Sequence, residues 1–240
     1  MFRNILLSLT ALAVPASLLA QIPAGAQSPV PATLDGFYQV NYASNLNRGD
    51  AVVNVTNTGA SAGTNVPVVN GNSYGDICVN AYVYSPDQEP ATCCVCRVTP
   101  NELDSWPVYF GSASFLNGLN NVGSIGARNQ IINGNYSVVI KLYATVAPGI
   151  GGTANYPSSS CPRPDSPGSA ANGLVAWATH SHPTNVGGVV AITETPFVNS
   201  YLSPGELGKL TGDCHYTLTQ GSGFVCPFCL KSTGLLAPGL

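Results

Sequence analysis

The chain has 240 residues, eight of them Lys or Arg and eleven Asp or Glu, for a net charge of −3. Charged residues make up 8% of it, against roughly 25% in an ordinary soluble protein. With its basic residues scattered singly, the composition argues against nucleic acid as a partner, because phosphate binding needs clustered Lys and Arg.

The first residues carry the three parts of an export signal. Arg3 gives a positive start, an apolar run extends from Ile5 to Leu19, and Ala24-Gly25-Ala26 ends in small residues. This pattern predicts a cleaved signal peptide over 1–26. Pro15 interrupts the apolar run, which is too short to span a bilayer. No later stretch is long and apolar enough to span, so no transmembrane segment is expected in the mature chain. Residues 27–240 suffice for a single domain, with an extended lead-in over 27–47.

Short runs of alternating apolar residues, rich in β-branched and aromatic side chains, predict strands at 36–43, 50–57, 76–84, 105–110, 136–146, 173–180, 187–195 and 214–219. Gly, Asn, Pro and Ser clusters separate them. Two helical turns are predicted at Thr99-Pro100-Asn101-Glu102 and Ser203-Pro204-Gly205-Glu206. Each has a hydroxyl cap, proline at the first helical position and glutamate three residues after the cap. Residues 111–135 and 147–172 read as long irregular loops, the kind that carry ligands. The sum is an all-β fold: an antiparallel β-sandwich with long loops, one or two short helical turns and disulfide staples. The phrase from Asp50 to Gly59, DAVVNVTNTG, resembles an early strand and turn of immunoglobulin-like modules in bacterial surface proteins. That resemblance implies an immunoglobulin-like variant of the sandwich.

The eight cysteines are Cys78, Cys93, Cys94, Cys96, Cys161, Cys214, Cys226 and Cys229. An even number in an exported chain predicts a disulfide framework. Adjacent Cys93 and Cys94 are poor partners for each other and should reach two different strands. The competing reading pairs Cys93-x-x-Cys96 with Cys226-x-x-Cys229 as four zinc thiolates. Cys226-Pro-Phe-Cys229 also resembles the C-P-x-C of thiol-disulfide oxidoreductases, but the eleven residues after it include Gly234, Pro238 and Gly239. Without a helix to lower a thiol pKa, the motif reads as a staple.

His180 and His182 lie two apart, so a strand would point both to one face, where they read as a polar strand end facing solvent, with a metal-chelating pair as the alternative, since no Asp or Glu lies near in sequence to complete a site. His215 stands beside Cys214. Asp35, Asp50, Asp76 and Asp213 each adjoin glycine, which suits turns, with loop calcium as the alternative. No serine elbow is present and no acidic pair stands out, so no catalytic residue and no cofactor is expected. Tyr38, Tyr42, Tyr82, Tyr84, Tyr136 and Tyr143 fall in predicted strands with close pairs on one face, either lining the core edge or forming a sugar-stacking or subunit-contact face. The function expected is that of a secreted, non-enzymatic structural or cell-surface protein, able to self-assemble by strand addition with copies of itself or with cell-surface components. The alternative is an extracellular carbohydrate- or ligand-binding module.

Overall fold

The structure, a computed structural model, describes residues 35–63, 75–147, 161–184 and 189–220. The expected signal peptide, the start of the lead-in, Cys226 and Cys229 lie outside the described residues.

The predicted alternation becomes two sheets stacked into a sandwich-like body. The first contains β4 (Pro90–Val98), β3 (Ile77–Tyr84), β6 (Val138–Val146), β1 (Asp35–Ala43) and β9 (Val198–Ser200), in that order. The second runs β5 (Leu103–Pro107), β2 (Ala51–Asn57), β7 (Leu174–Pro183), β8 (Val190–Pro196). Every pairing between these strands is antiparallel.

Period-two alternation decides which side chains meet between the sheets. Ile77, Val79, Ala81 and Val83 of β3 face Val53 and Val55 of β2, with Trp106 of β5 and Ala176 and Ala178 of β7 closing the same core. Trp106 and Phe115 meet edge to face, centroids 6.1 Å apart. Gly49 precedes β2 because a Cβ there would sit 1.7 Å from the Ser181 carbonyl oxygen. No other residue fits that approach.

Four expectations are corrected. Residues 214–219 are not a strand: Pro204–Gln220 form one helix, α2, of 17 residues, far more than the one or two turns its cap predicted. Leu207, Leu210, Cys214 and Leu218 recur at helical spacing and pack on the outer face of the first sheet, and this burial outweighs the low helix propensity of Gly208 and Gly212. Residues 111–135 are not wholly irregular, since α1 (Ile125–Asn133) lies within them, capped by the Ser124 hydroxyl accepting from the Ala127 N–H at 2.9 Å. The Thr99 signal makes a turn, not a helix. Glu102 Oε2 accepts from the Thr99 N–H and hydroxyl at 2.7 and 2.8 Å, but Asn101 at φ +63° takes the chain out of helical geometry. Strand β4, hidden in the cysteine cluster, and the three-residue β9 were not foreseen.

Strand β1 pairs with β6 on one side and β9 on the other. Residues 35–43 therefore lie within their own sheet and are no free arm to donate to a neighbour.

Candidate functional site

Two disulfides organise the outer face of the first sheet. On β4, Cys93 points outward and bonds Cys214 of α2, while Cys78 on β3 bonds Cys161 in the segment before β7. Each bridge therefore fastens a cover: α2 over β4, and residues 161–170 along β3 and β6. The covers are also joined to the sheet and to each other by polar contacts. The Tyr82 hydroxyl donates to the Pro164 carbonyl at 2.8 Å, and His215 Nδ1 lies 3.0 Å from Asp165 Oδ2. Asp165 is held below the ordinary carboxyl range by the His215 and Arg163 hydrogen bonds, against an opposing push from burial.

Cys94 and Cys96 face the opposite way, into the core between the sheets, and both are disulfide-bonded. The zinc reading of Cys93 and Cys96 is thereby corrected. Three residues apart on a strand, they point to opposite faces, and both sulfurs are already in S–S bonds. Cys93 reaches a helix and not a second strand.

Under α2 the buried outward side chains of the sheet are tyrosines. Tyr38, Tyr82, Tyr84 and Tyr143 form a second cluster with Val139, Leu210 and Cys93–Cys214. Burial raises the phenol pKa of all four, so they act as neutral packing groups. Lys141 and Lys209 each place an ammonium 4.6 Å from the Tyr84 ring centroid.

Beyond the start of α2 the cover ends and a cleft of about 610 Å³ opens over β1, β6 and β9. Its floor is the apolar strip Val40, Val139 and Val198, and Tyr42 and Tyr201 line it with rings 69% and 51% exposed. Glu206, three residues after the Ser203 cap, turns into the cleft. Its Oε1 takes the Lys141 ammonium at 2.7 Å and the Tyr38 hydroxyl at 3.1 Å. Burial would raise the Glu206 pKa, but the Lys141 and Tyr38 bonds outweigh it and hold the carboxyl below its ordinary 4.5. A depressed carboxyl pKa contributes stability that is complete above the unfolded value and lost as pH falls through the folded one. Acid titration of the wild type should therefore show a loss of stability below about pH 4.5 that is smaller in Glu206→Gln, measured as urea midpoints from pH 6 to pH 3.

The turn joining β3 to β4 supplies Gln88 at the cleft rim. It sits at φ +68°, a strained conformation for a side-chain-bearing residue, held by its own N–H to the Ser85 carbonyl at 3.0 Å.

On the second sheet no described residue forms such a cover over the outer face. Leu103 (57%), Val175 (43%), Val190 (50%) and Ile192 (65%) are exposed there, with Val52 and Trp177 half-buried. A polar row crosses its four strands: Ser105 donates to Asn54 at 2.8 Å, Asn54 to Thr179 at 2.8 Å, and Thr179 to Glu194 at 3.4 Å. All seven residues of β8 are exposed.

His180 and His182 share a face as expected, their rings stacked 6.3 Å apart. His182 Nε2 engages the Thr193 hydroxyl at 2.9 Å, and burial, with the neighbouring His182, lowers the His180 pKa. Among the described residues no group of three or more His, Cys, Asp or Glu is placed to hold a metal. Three of the four Asp residues beside glycine have work in the fold. Asp50 accepts the N–H groups of Ala51, Tyr109 and Phe110 at 2.8 to 2.9 Å, Asp76 pairs with Arg97, and Asp213 pairs with Lys209.

Comparison with protein-family models, with curated proteins and with solved structures finds no match.

Sequence reasoning named Tyr38 and Tyr42 as one face and Glu206 as a helix cap. It missed Lys141, Gln88 and Tyr201, and no local signal marks them, because the cleft forms only when the start of α2 returns across β1 and β6. No described residue of the two loops expected to carry a ligand lines it.

Proposed function

We propose that this chain is an exported, non-enzymatic structural protein of the cell exterior that assembles with copies of itself by strand addition at β8. The observation that carries the reading is an edge strand that, among the described residues, is exposed along its whole length and has no covering element. Natural sheets guard their edges with prolines, charges, bulges or a covering element. Strand β8 pairs with β7 over seven consecutive positions without a register break, has Glu194 as its one charge, and meets proline only at its end.

The occupant is the same strand of a second copy. Two copies related by a two-fold axis bring Val190 and Ile192 of one against the same residues of the other, an isologous contact in which backbone hydrogen bonds join the sheets. The net charge of −3 offers little repulsion to like copies. The polar row on the adjoining face satisfies much of its own hydrogen bonding, which lowers the cost of removing it from water. Two disulfides fit passage through an oxidising compartment. Among the described residues no helix is long and apolar enough to cross a membrane. The immunoglobulin-like variant of the sandwich is part of this reading, supported by the Asp50–Gly59 strand and turn.

A like-charge pair placed at a contact is strongly unfavourable. Val190→Lys with Ile192→Lys should therefore weaken self-association by at least about tenfold, measured by sedimentation equilibrium. Ile125→Lys, at an 80% exposed position on α1, should leave it unchanged.

A further inference from the structure

The cleft beside α2 lies on the opposite sheet from β8 and plays no part in assembly. Its volume of about 610 Å³ falls in the range of small-molecule sites, roughly 300 to 1,000 Å³. Three features restrict what it can hold. Lys141 and Glu206 are the two charged groups among its lining residues, and they neutralise each other. An ionic ligand would have to break that pair, so the cleft suits a neutral one. Both hydrogen bonds to Glu206 fall on Oε1, which leaves Oε2 to accept from a ligand hydroxyl, a charge-assisted bond stronger than a neutral one. The apolar strip and the two exposed tyrosine rings call for a ligand with an apolar face as well as hydroxyl edges.

A pyranose ring combines these properties: C–H groups on its faces, hydroxyl donors around its rim and no charge. Tyr42 and Tyr201 present large amphipathic surfaces of the kind that retain such rings, their hydroxyls free to face water. Strain stored at Gln88 on the rim accords with a ligand-facing position. We propose that this cleft is a binding site for neutral saccharide chains, with Glu206 Oε2 accepting a sugar hydroxyl and Tyr42 and Tyr201 stacking on the rings.

The experiment uses the full mature chain and four neutral hexasaccharides, cellohexaose, xylohexaose, mannohexaose and chitohexaose, with hexagalacturonate as the charged comparison, followed by isothermal titration calorimetry. At least one neutral chain should bind with a dissociation constant at or below about 1 mM. Tyr42→Ala and Tyr201→Ala should each weaken that binding about three- to tenfold, and Glu206→Gln should weaken it with far-UV circular dichroism at pH 7 close to wild type, while its urea midpoint falls by the stability the carboxylate contributes above its unfolded pKa. No neutral chain binding at millimolar concentration would overturn the proposal. So would preference for the galacturonate, or neutral-sugar binding that survives the Tyr42→Ala/Tyr201→Ala double substitution. The Val190→Lys/Ile192→Lys protein should bind sugar normally, so failure of the assembly reading and failure of this one are separable.

Discussion

Asp76→Ala should lower the stability of the fold by about 3–5 kcal/mol, the largest effect expected of a single substitution in this chain. Asp76 immediately precedes β3, and its Oδ2 receives both Nε and Nη2 of Arg97 on β4 at 2.7 Å. The two side chains are 9% and 3% exposed. Placing a guanidinium there removes it from water, and the carboxylate offsets that cost; truncation leaves the buried cation without it. The sign of the double substitution is different. Replacing a buried ion pair by apolar residues of similar volume is often neutral or favourable. Asp76→Leu/Arg97→Met should therefore recover most of what Asp76→Ala loses. Urea unfolding of the three proteins checks this, and a loss below about 1 kcal/mol for Asp76→Ala would place the pair among surface ion pairs.

The second large effect concerns α2. Cys93 and Cys214 are 121 residues apart, and closing a loop of that length removes chain entropy equivalent to about 5 kcal/mol. Measured losses on removing a native bridge run at about 2–5 kcal/mol, and Cys93→Ser/Cys214→Ser should fall in that range. The loss should also be local first. Helix α2 contains glycine at 205, 208 and 212, each costing about 1 kcal/mol relative to alanine, so its stability comes from packing on the tyrosine layer and from the bridge. Native-state hydrogen exchange should show amides of 204–220 losing protection while those of β1, β3 and β6 keep theirs. Equal protection of α2 with and without the bridge would mean that Leu207, Leu210 and Leu218 hold it alone.

These two features show how far the fold is legible in the sequence. AVVNVTN was readable because period two is written in its apolar residues, with Ala51, Val53 and Val55 turned to the core, and GFYQVNY and YSVVIKLYATV were readable from their β-branched and aromatic makeup, although β6 is buried on both faces from Val138 to Thr145. Strand β4 was not, because in TCCVC both faces are buried and cysteines serve as apolar residues on each. Helix α2 was missed since Cys-His-Tyr-Thr-Leu-Thr has the β-branched and aromatic makeup of a strand, and only the tertiary layer of tyrosines selects its helical face. Disulfide connectivity was unreadable for the same reason. Cys93 and Cys94 point apart because a strand turns successive side chains to opposite faces, and that follows only once the strand is known.

The cleft shows the limit most plainly. Tyr38 and Glu206 are 168 residues apart and share one hydrogen bond. Glu206 carried a signal of its own as a cap residue, and that signal concealed its second use. The open edge at β8 was half legible. Its strand was readable from the alternation, but whether α2 covered it depended on tertiary packing, and α2 settles on the other sheet.

Assembly through β8 is the claim on which the functional reading turns. The most direct measurement is sedimentation equilibrium of the oxidised protein from micromolar to millimolar concentration, beside Val190→Lys/Ile192→Lys under the same conditions. The account predicts concentration-dependent association in the wild type, sharply reduced in the double variant. A wild type that stays monomeric throughout, or a variant that associates as strongly as its parent, would contradict it.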